Sequence, residues 1–319
     1  MLAVHLESGA VSIRETNAPD RPPGFALLRM RIGGICNTDL ELQRGYYGFA
    51  GTPGHEFVAD VVQADTPQLI GRRVVGEINL PCGACQFCAA GLGRHCARRT
   101  VLGILNHPGA FAEFFTLAES NLHVLPARLS DEEAVFGEPL AAACEILDQI
   151  SISQHDVVAV LGDGKLGLLI AQVLHAHGTR LVLYGRHEAK LSIARACGIE
   201  TDSSGDRPRA AYDVVVEATG SAAGLNEAVA MTRPRGTVVM KSTIHGSVSI
   251  DTAPIVVNEI SLIGSRCGRF EPALALLKRQ RVDVRSMLSA EFPLSQAPAA
   301  FAEAAKPGVL KVLLRNDRA

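Results

Sequence analysis

Thiol, imidazole and carboxylate side chains recur in this chain at spacings that suit bound metal. Cys82, Cys85, Cys88 and Cys96 stand at C-x2-C-x2-C-x7-C, within fifteen positions and separated by turns that carry Gly83 and Gly91. Four thiolates so placed can converge on one tetrahedral zinc at about 2.3 Å. A site of that kind is coordinatively closed, so it anchors its loop and offers no position to water or substrate. Three other segments carry ligand-grade residues: Cys36 in GGICNTDLEL, His55 and Glu56 in TPGHEF, and Glu138 in GEPLAAACE. Singly, each has a plain structural role, a core thiol or an acid at a helix start. Together they supply a thiolate, an imidazole and carboxylates, the donors of a zinc that keeps one exchangeable position. Cys144, Cys197 and Cys267 stand alone and read as small core residues.

A second chemistry is legible in VVAVLGDGKLGLLIAQ, where Gly162, Gly164 and Gly167 form G-x-G-x-x-G between a strand and a helix. The run Gly162, Asp163, Gly164, Lys165, Leu166 and Gly167 is read as a pyrophosphate cradle at a helix N-terminus. The end of the following strand, LVLYGRHEAK, decides between the two nicotinamide coenzymes. Gly185 stands where an acid would take the adenosine ribose hydroxyl, and Arg186, with His187 and Lys190 nearby, suits a 2′-phosphate. NADP(H) is therefore expected ahead of NAD(H).

Positioning two such sites needs more than one layer of structure. A chain of 319 residues exceeds what one core usually holds, so two lobes with a cleft between them are expected. From residue 156 onward, DVVAVLG, RLVLYG, YDVVVEATG, GTVVMKS and ISLIG alternate with amphipathic stretches, the pattern of β-α-β units on a parallel sheet. Val11 to about Leu125 reads instead as short β-rich pieces such as FALLRMRIGGI and HEFVADVVQA, which suggest a partly open β-barrel. The last fifty residues hold two helix candidates, EPALALLKRQ and SQAPAAFAEAA, and the strand-like KVLLR. A formal net charge of −2 excludes the basic surplus of a nucleic-acid binder. The first residues lack the zones of a secretory signal and no apolar run approaches the ~20 residues of a membrane span, so a reducing cytoplasmic location is expected.

In this order the motifs resemble the zinc-dependent medium-chain dehydrogenase/reductase family, which includes alcohol, sorbitol, threonine and glucose dehydrogenases. GICNTDLEL is similar to the family's first ligand motif, PGHEF to its second, PCGACQFCAAGLGRHC to its structural zinc lobe and EPLA to its third ligand region. VLGDGKLGLL, DVVVEATGS and KVLL extend the likeness nearly end to end. The resemblance implies an α/β fold with a GroES-like β-barrel catalytic domain and its zinc lobe at 1–139. It implies a Rossmann cofactor domain with a doubly wound parallel sheet at 140–266, and a segment, 267–319, that returns to the catalytic domain.

It further implies two zinc ions per chain, with Cys36 and His55 on the catalytic one. Glu138 is similar to the third ligand of polyol-type members, and Glu56 resembles the neighbouring acid that enters or supports the shell; which of the two is bound at rest stays open. Thr38 resembles the hydroxyl that bonds the substrate oxygen, and Glu41 stands where some members continue the proton relay with a histidine. Ala218, Thr219, Gly220, Ser242, Ser265 and Arg266 are expected to line the coenzyme, and Lys311 to approach its phosphates. The implied reaction interconverts a secondary alcohol or polyol and its ketone or aldehyde by hydride exchange with nicotinamide, zinc acting as Lewis acid. The alternative is a zinc-containing nucleotide-binding redox sensor without catalysis. A homodimer or homotetramer is implied, with ISLIGS as the candidate pairing strand, and the expected partner is a small alcohol or carbonyl compound, with neither nucleic acid nor membrane.

Overall fold

Eleven residues, Phe25–Ile35, form the spine of the first unit, and all but Phe25, Arg29 and Arg31 are buried. One edge pairs antiparallel with Glu56–Gln63. The other edge is shared: Phe114–Ala118 takes the first half and Lys311–Arg315 the last. The sheet runs Leu288–Pro293, Lys311–Arg315, Phe25–Ile35, Glu56–Gln63, Arg73–Gly76, Leu122–Val124, with Phe114–Ala118 off that path. Aromatic pairs fill its interior, Phe57 against Phe115 and Phe111 against Phe301, both edge-on. Phe301 arrives on the helix Ala297–Ala304, whose Ala297, Ala300, Phe301 and Ala304 share one buried stripe at helical spacing.

This computed structural model describes residues 1–243 and 247–317. They divide into Met1–Glu138 with the chain from Leu288 onward, and Pro139–Met287. The boundary expected at 266 therefore falls twenty-one residues later. The helix Phe270–Lys278 stays with the second unit because Phe270, Ala273 and Leu277 are buried there, and because Gln172 clasps the backbone at Asp283 with both ends of its amide.

The second unit holds a parallel sheet of six strands in the order Glu200–Asp202, Arg180–Tyr184, Val157–Leu161, Tyr212–Glu217, Thr232–Met240, Ser261–Gly264. In chain order this is 3-2-1-4-5-6, the doubly wound arrangement, whose ligand crevice lies at the strand carboxyl ends beside the first strand. Val158, Ala159, Val160 and Leu161 are all essentially inaccessible, as the central strand of a sheet covered on both faces must be. The helix Lys165–His177 packs on Glu188–Ala196 and on the strand Arg180–Tyr184, and Ala222–Met231 packs on Tyr212–Glu217 and Thr232–Met240, as crossover helices of β-α-β units do. The strand Glu200–Asp202 was not legible in the sequence, since ETD is polar and three residues long at a sheet edge. No helix among the described residues is long and apolar enough to cross a membrane.

Candidate active and coenzyme sites

The sheet of the first unit delivers its ligand-grade side chains from two neighbouring strands. Cys36 follows the end of Phe25–Ile35 and caps the helix Asn37–Gln43. His55 and Glu56 open the paired strand. One ligand atom from each of Cys36, His55 and Glu56 lies within 4.8 Å of the others. Glu138, half-buried at the start of the helix Gly137–Gln149, is not in that group.

Asp39, which the sequence reading passed over, ties the group together. Fully buried, it accepts the Cys36 N–H at 2.8 Å and the Gly54 N–H at 3.2 Å, and its Oδ1 lies 3.4 Å from His55 Nδ1. An imidazole whose Nδ1 faces a carboxylate presents Nε2 as its metal ligand. The signal was available: Asp three residues into a helix that starts at Cys36 is a capping-box acid, though nothing in the spacing says it also faces a histidine.

Lys311 Nζ is buried and paired with Glu56 Oε2. Burial works to lower the Lys311 pKa, but Glu56, Cys36 and Asp39 outweigh it and hold the ammonium above its ordinary value. The same contest raises His55 well above its usual range, with Asp39 and then Cys36 overcoming desolvation. His55 Nδ1 and Glu56 Oε1 are buried without a hydrogen bond among the described residues. An orphaned carboxylate oxygen beside an imidazole, a thiol and a second carboxylate is what a site for a cation leaves, and sulfur, nitrogen and oxygen donors together suit zinc. Lys311 thus differs from its expected place: it neutralises Glu56 inside the sheet and does not present its ammonium to a phosphate. Gly34 allows this, since a Cβ there would lie 2.4 Å from Glu56 Oε2.

Thr38 Oγ1 sits 3.8 Å from Cys36 Sγ. Glu41 is bound to Arg44 at 2.6 Å. The four-cysteine lobe has Sγ separations of 4.0, 3.4 and 3.7 Å for 82–88, 85–88 and 85–96. A tetrahedron with bonds of about 2.3 Å has edges of about 3.8 Å, so these residues fit one zinc. The Ala84 N–H draws Cys82 down to about 6, and Arg98 Nη2 lies 3.2 Å from its sulfur.

In the second unit the glycine-rich turn joins Val157–Leu161 to Lys165–His177, with Gly164 as N-cap. Gly162 adopts φ +112°, open to glycine, and a Cβ on Gly167 would meet Gly162 O at 1.9 Å. A Cβ on Gly164 would meet nothing within 4 Å, so the space above the turn is free for a phosphate. Ala218, Thr219 and Ser242 follow the next two strands. There Glu217 accepts from the Thr219 N–H, the Thr219 hydroxyl and the Ser242 hydroxyl at 2.7, 2.6 and 3.0 Å, and the Gly220 N–H reaches Ser242 Oγ at 2.8 Å. Ser265 is buried and receives Lys241 Nζ at 3.1 Å, while the same ammonium binds the carbonyls of Ala142 and Arg266. Neither Glu217 nor Lys241 was singled out from the sequence, where each is one more charged residue at a strand end.

A 3-2-1-4-5-6 sheet with its glycine-rich turn, in a chain that also gathers sulfur, nitrogen and oxygen donors, is the arrangement of a dinucleotide-dependent oxidoreductase with a candidate metal site. Comparison with known proteins agrees. The alcohol dehydrogenase GroES-like domain profile matches residues 22–127, and the zinc-binding dehydrogenase profile matches 166–279. D-altritol 5-dehydrogenase of Agrobacterium fabrum is 30% identical over 91% of this chain and 92% of its own. Sorbitol dehydrogenase of Halalkalibacterium halodurans is 28% identical over 96% of each. A Sinorhizobium meliloti 1021 structure bound to NADP, described as a zinc-binding dehydrogenase, superposes with a TM-score of 0.91 at 29% identity over 98% of both chains. The chain belongs to the zinc-dependent medium-chain dehydrogenase/reductase family, with its GroES-like and Rossmann-type units, and is an NAD(P)-dependent alcohol dehydrogenase.

Proposed function

We propose that this enzyme interconverts a polyol or other secondary alcohol and its ketone or aldehyde with one zinc held by Cys36, His55 and a glutamate. A second zinc fills the 82–96 lobe, and NADP(H) is used ahead of NAD(H). The observation that carries the reading is the gathering of the Cys36, His55 and Glu56 donors with one buried Glu56 oxygen unpartnered. Bound there, zinc supplies Lewis acidity that lowers the pKa of an alcohol. The chain's residues do the positioning. Asp39 orients His55 and fixes the helix start at Cys36, and Glu56 is the nearer carboxylate, with Glu138 the alternate third ligand. Thr38, two residues beyond Cys36, accepts a hydrogen bond from the substrate hydroxyl and relays that proton toward solvent by giving up its own. The polyol-directed names of the relatives support the substrate class.

Purified enzyme should contain two zinc ions per chain and reduce NADP when given hexitols, pentitols or butanediols. Undiminished turnover after zinc removal would overturn the reading, as would a zinc-loaded protein that transfers no hydride across such a panel.

For the coenzyme, the support is the exposed Arg186 guanidinium, which makes no hydrogen bond or ion pair among the described residues, and the NADP complex of the Sinorhizobium relative. A charge-assisted fork on a phosphate contributes about 1.5 to 3 kcal/mol, so Arg186→Ala should raise KM for NADP(H) roughly 10- to 100-fold. KM for NAD(H) should stay within about 3-fold. Equal losses on both coenzymes would refute the phosphate role.

Self-association is proposed through the free edge of Ser261–Gly264, the last strand of its sheet. Beside it Val256 and Val257 are 74% and 79% exposed, an apolar pair that a second copy would cover. Val257→Glu should shift the chain toward monomer by light scattering, and an unchanged mass would reject this edge. All cysteines outside and inside the metal sites are free, in keeping with the proposed reducing cytoplasmic setting.

A further inference from the structure

We propose that Asp163 and Gly185 are a mutually exclusive pair that fixes coenzyme preference. A single carboxylate occupies the end of the second strand, and here it comes from the glycine-rich turn and faces inward. The inference deepens the NADP(H) reading above and rests on it.

A Cβ built on Gly185 would lie 2.6 Å from Asp163 Cβ, 2.6 Å from its Oδ2 and 2.8 Å from its Cγ. These distances are below any real contact, and Asp163 Cβ is fixed by its backbone, so no rotamer relieves the overlap. Asp163 fills the space that a side chain at 185 would take. Its acceptors are already committed: Oδ2 receives the Arg186 and His187 N–H groups, each at 2.7 Å, and His187 Nδ1 lies 3.0 Å from both oxygens. The residue is 7% exposed. Burial tends to raise its pKa, but the His187 ring and the two amides hold it below the ordinary carboxylate value.

The consequence is electrostatic. An acid at position 185 would point at the adenosine ribose, accept its 2′-hydroxyl and repel a 2′-phosphate. An acid at 163 spends its charge on the chain's own amides and anchors the backbone of Arg186, whose side chain stays exposed. Asp163 is therefore a positioning residue for the guanidinium, and it bars the substitution that would favour NAD(H).

The test is a double-mutant cycle on the full zinc-loaded chain, read as Kd for NADPH and NADH from coenzyme fluorescence without substrate, and as unfolding midpoint. Gly185→Asp alone should lower the midpoint and weaken both coenzymes at least about 10-fold, because a second carboxylate is forced against the first. Asp163→Gly with Gly185→Asp should recover the midpoint and bring NADH to within about 3-fold of the wild-type value, with NADPH still at least about 10-fold weaker. Asp163→Asn, which keeps the shape and an acceptor for the amides, should leave the NADPH/NADH ratio within about 3-fold. Additive effects, or Gly185→Asp alone gaining NADH at an unchanged midpoint, would overturn the exclusion. If Gly185→Asp yields no folded protein while the double variant does, the exclusion is supported. If neither folds, Gly185→Ala with and without Asp163→Gly reads the same non-additivity. Arg186→Ala separates the two claims: a selective NADPH loss with an additive cycle overturns only the exclusion, and equal losses overturn the coenzyme reading whatever the cycle gives.

Discussion

Cys36→Ala and His55→Ala should each lower turnover by at least about 10³-fold while the fold persists, with zinc content falling from two ions per chain to one. Each removes a donor that no neighbour replaces: among the described residues the group holds one thiol, one imidazole and one carboxylate. Asp39→Asn grades the effect. It keeps one acceptor oxygen, for the Cys36 or the Gly54 amide but not both, and weakens the hold on His55 Nδ1, and changes of that kind typically cost about 10- to 100-fold in metal affinity or rate. Zinc analysis, circular dichroism and initial rates on one polyol separate lost chemistry from lost fold. Near wild-type rates in either alanine variant would end the metal mechanism.

Lys311→Met should destabilise the protein by about 3 to 5 kcal/mol, since breaking a buried ion pair from one side leaves an uncompensated charge. Glu56 is 1% exposed and its other oxygen already lacks a partner. The methionine fills similar volume, so the loss is electrostatic and not a cavity effect. Adding Glu56→Gln should recover most of it, because removing both charges of a buried pair is often close to neutral. Urea unfolding of the metal-free protein reads both steps. If Lys311→Met unfolds within about 1 kcal/mol of wild type, the ammonium is not what holds the Glu56 charge. An unrecovered double variant would mean that Lys311 contributes by packing, through its place 5.5 Å over the Phe136 ring.

These two experiments fall on opposite sides of what a sequence can disclose. Cys36, His55, the four cysteines of the lobe and the glycines at 162, 164 and 167 announce themselves, because their chemistry depends on residue type at short spacing and local turns fix that geometry. The long strands were legible for the same reason: runs such as VVAVL and YDVVVE are apolar enough to be buried from both faces of a parallel sheet. The strand ETD was not, since three polar residues become a strand only because Arg180–Tyr184 offers them an edge.

What stayed hidden involves groups far apart in the chain. The family resemblance placed Lys311 near the coenzyme phosphates. Antiparallel pairing of its strand with Phe25–Ile35, and of that with Glu56–Gln63, brings it to Glu56 across 255 positions. Asp163 read as part of the pyrophosphate cradle, whereas the parallel register of Val157–Leu161 with Arg180–Tyr184 sets it against Gly185. Residue types thus determined which side chains could hold metal and where a dinucleotide turn lies. Which charge meets which was decided by the sheets, because strand register sets distances between residues that no local spacing constrains.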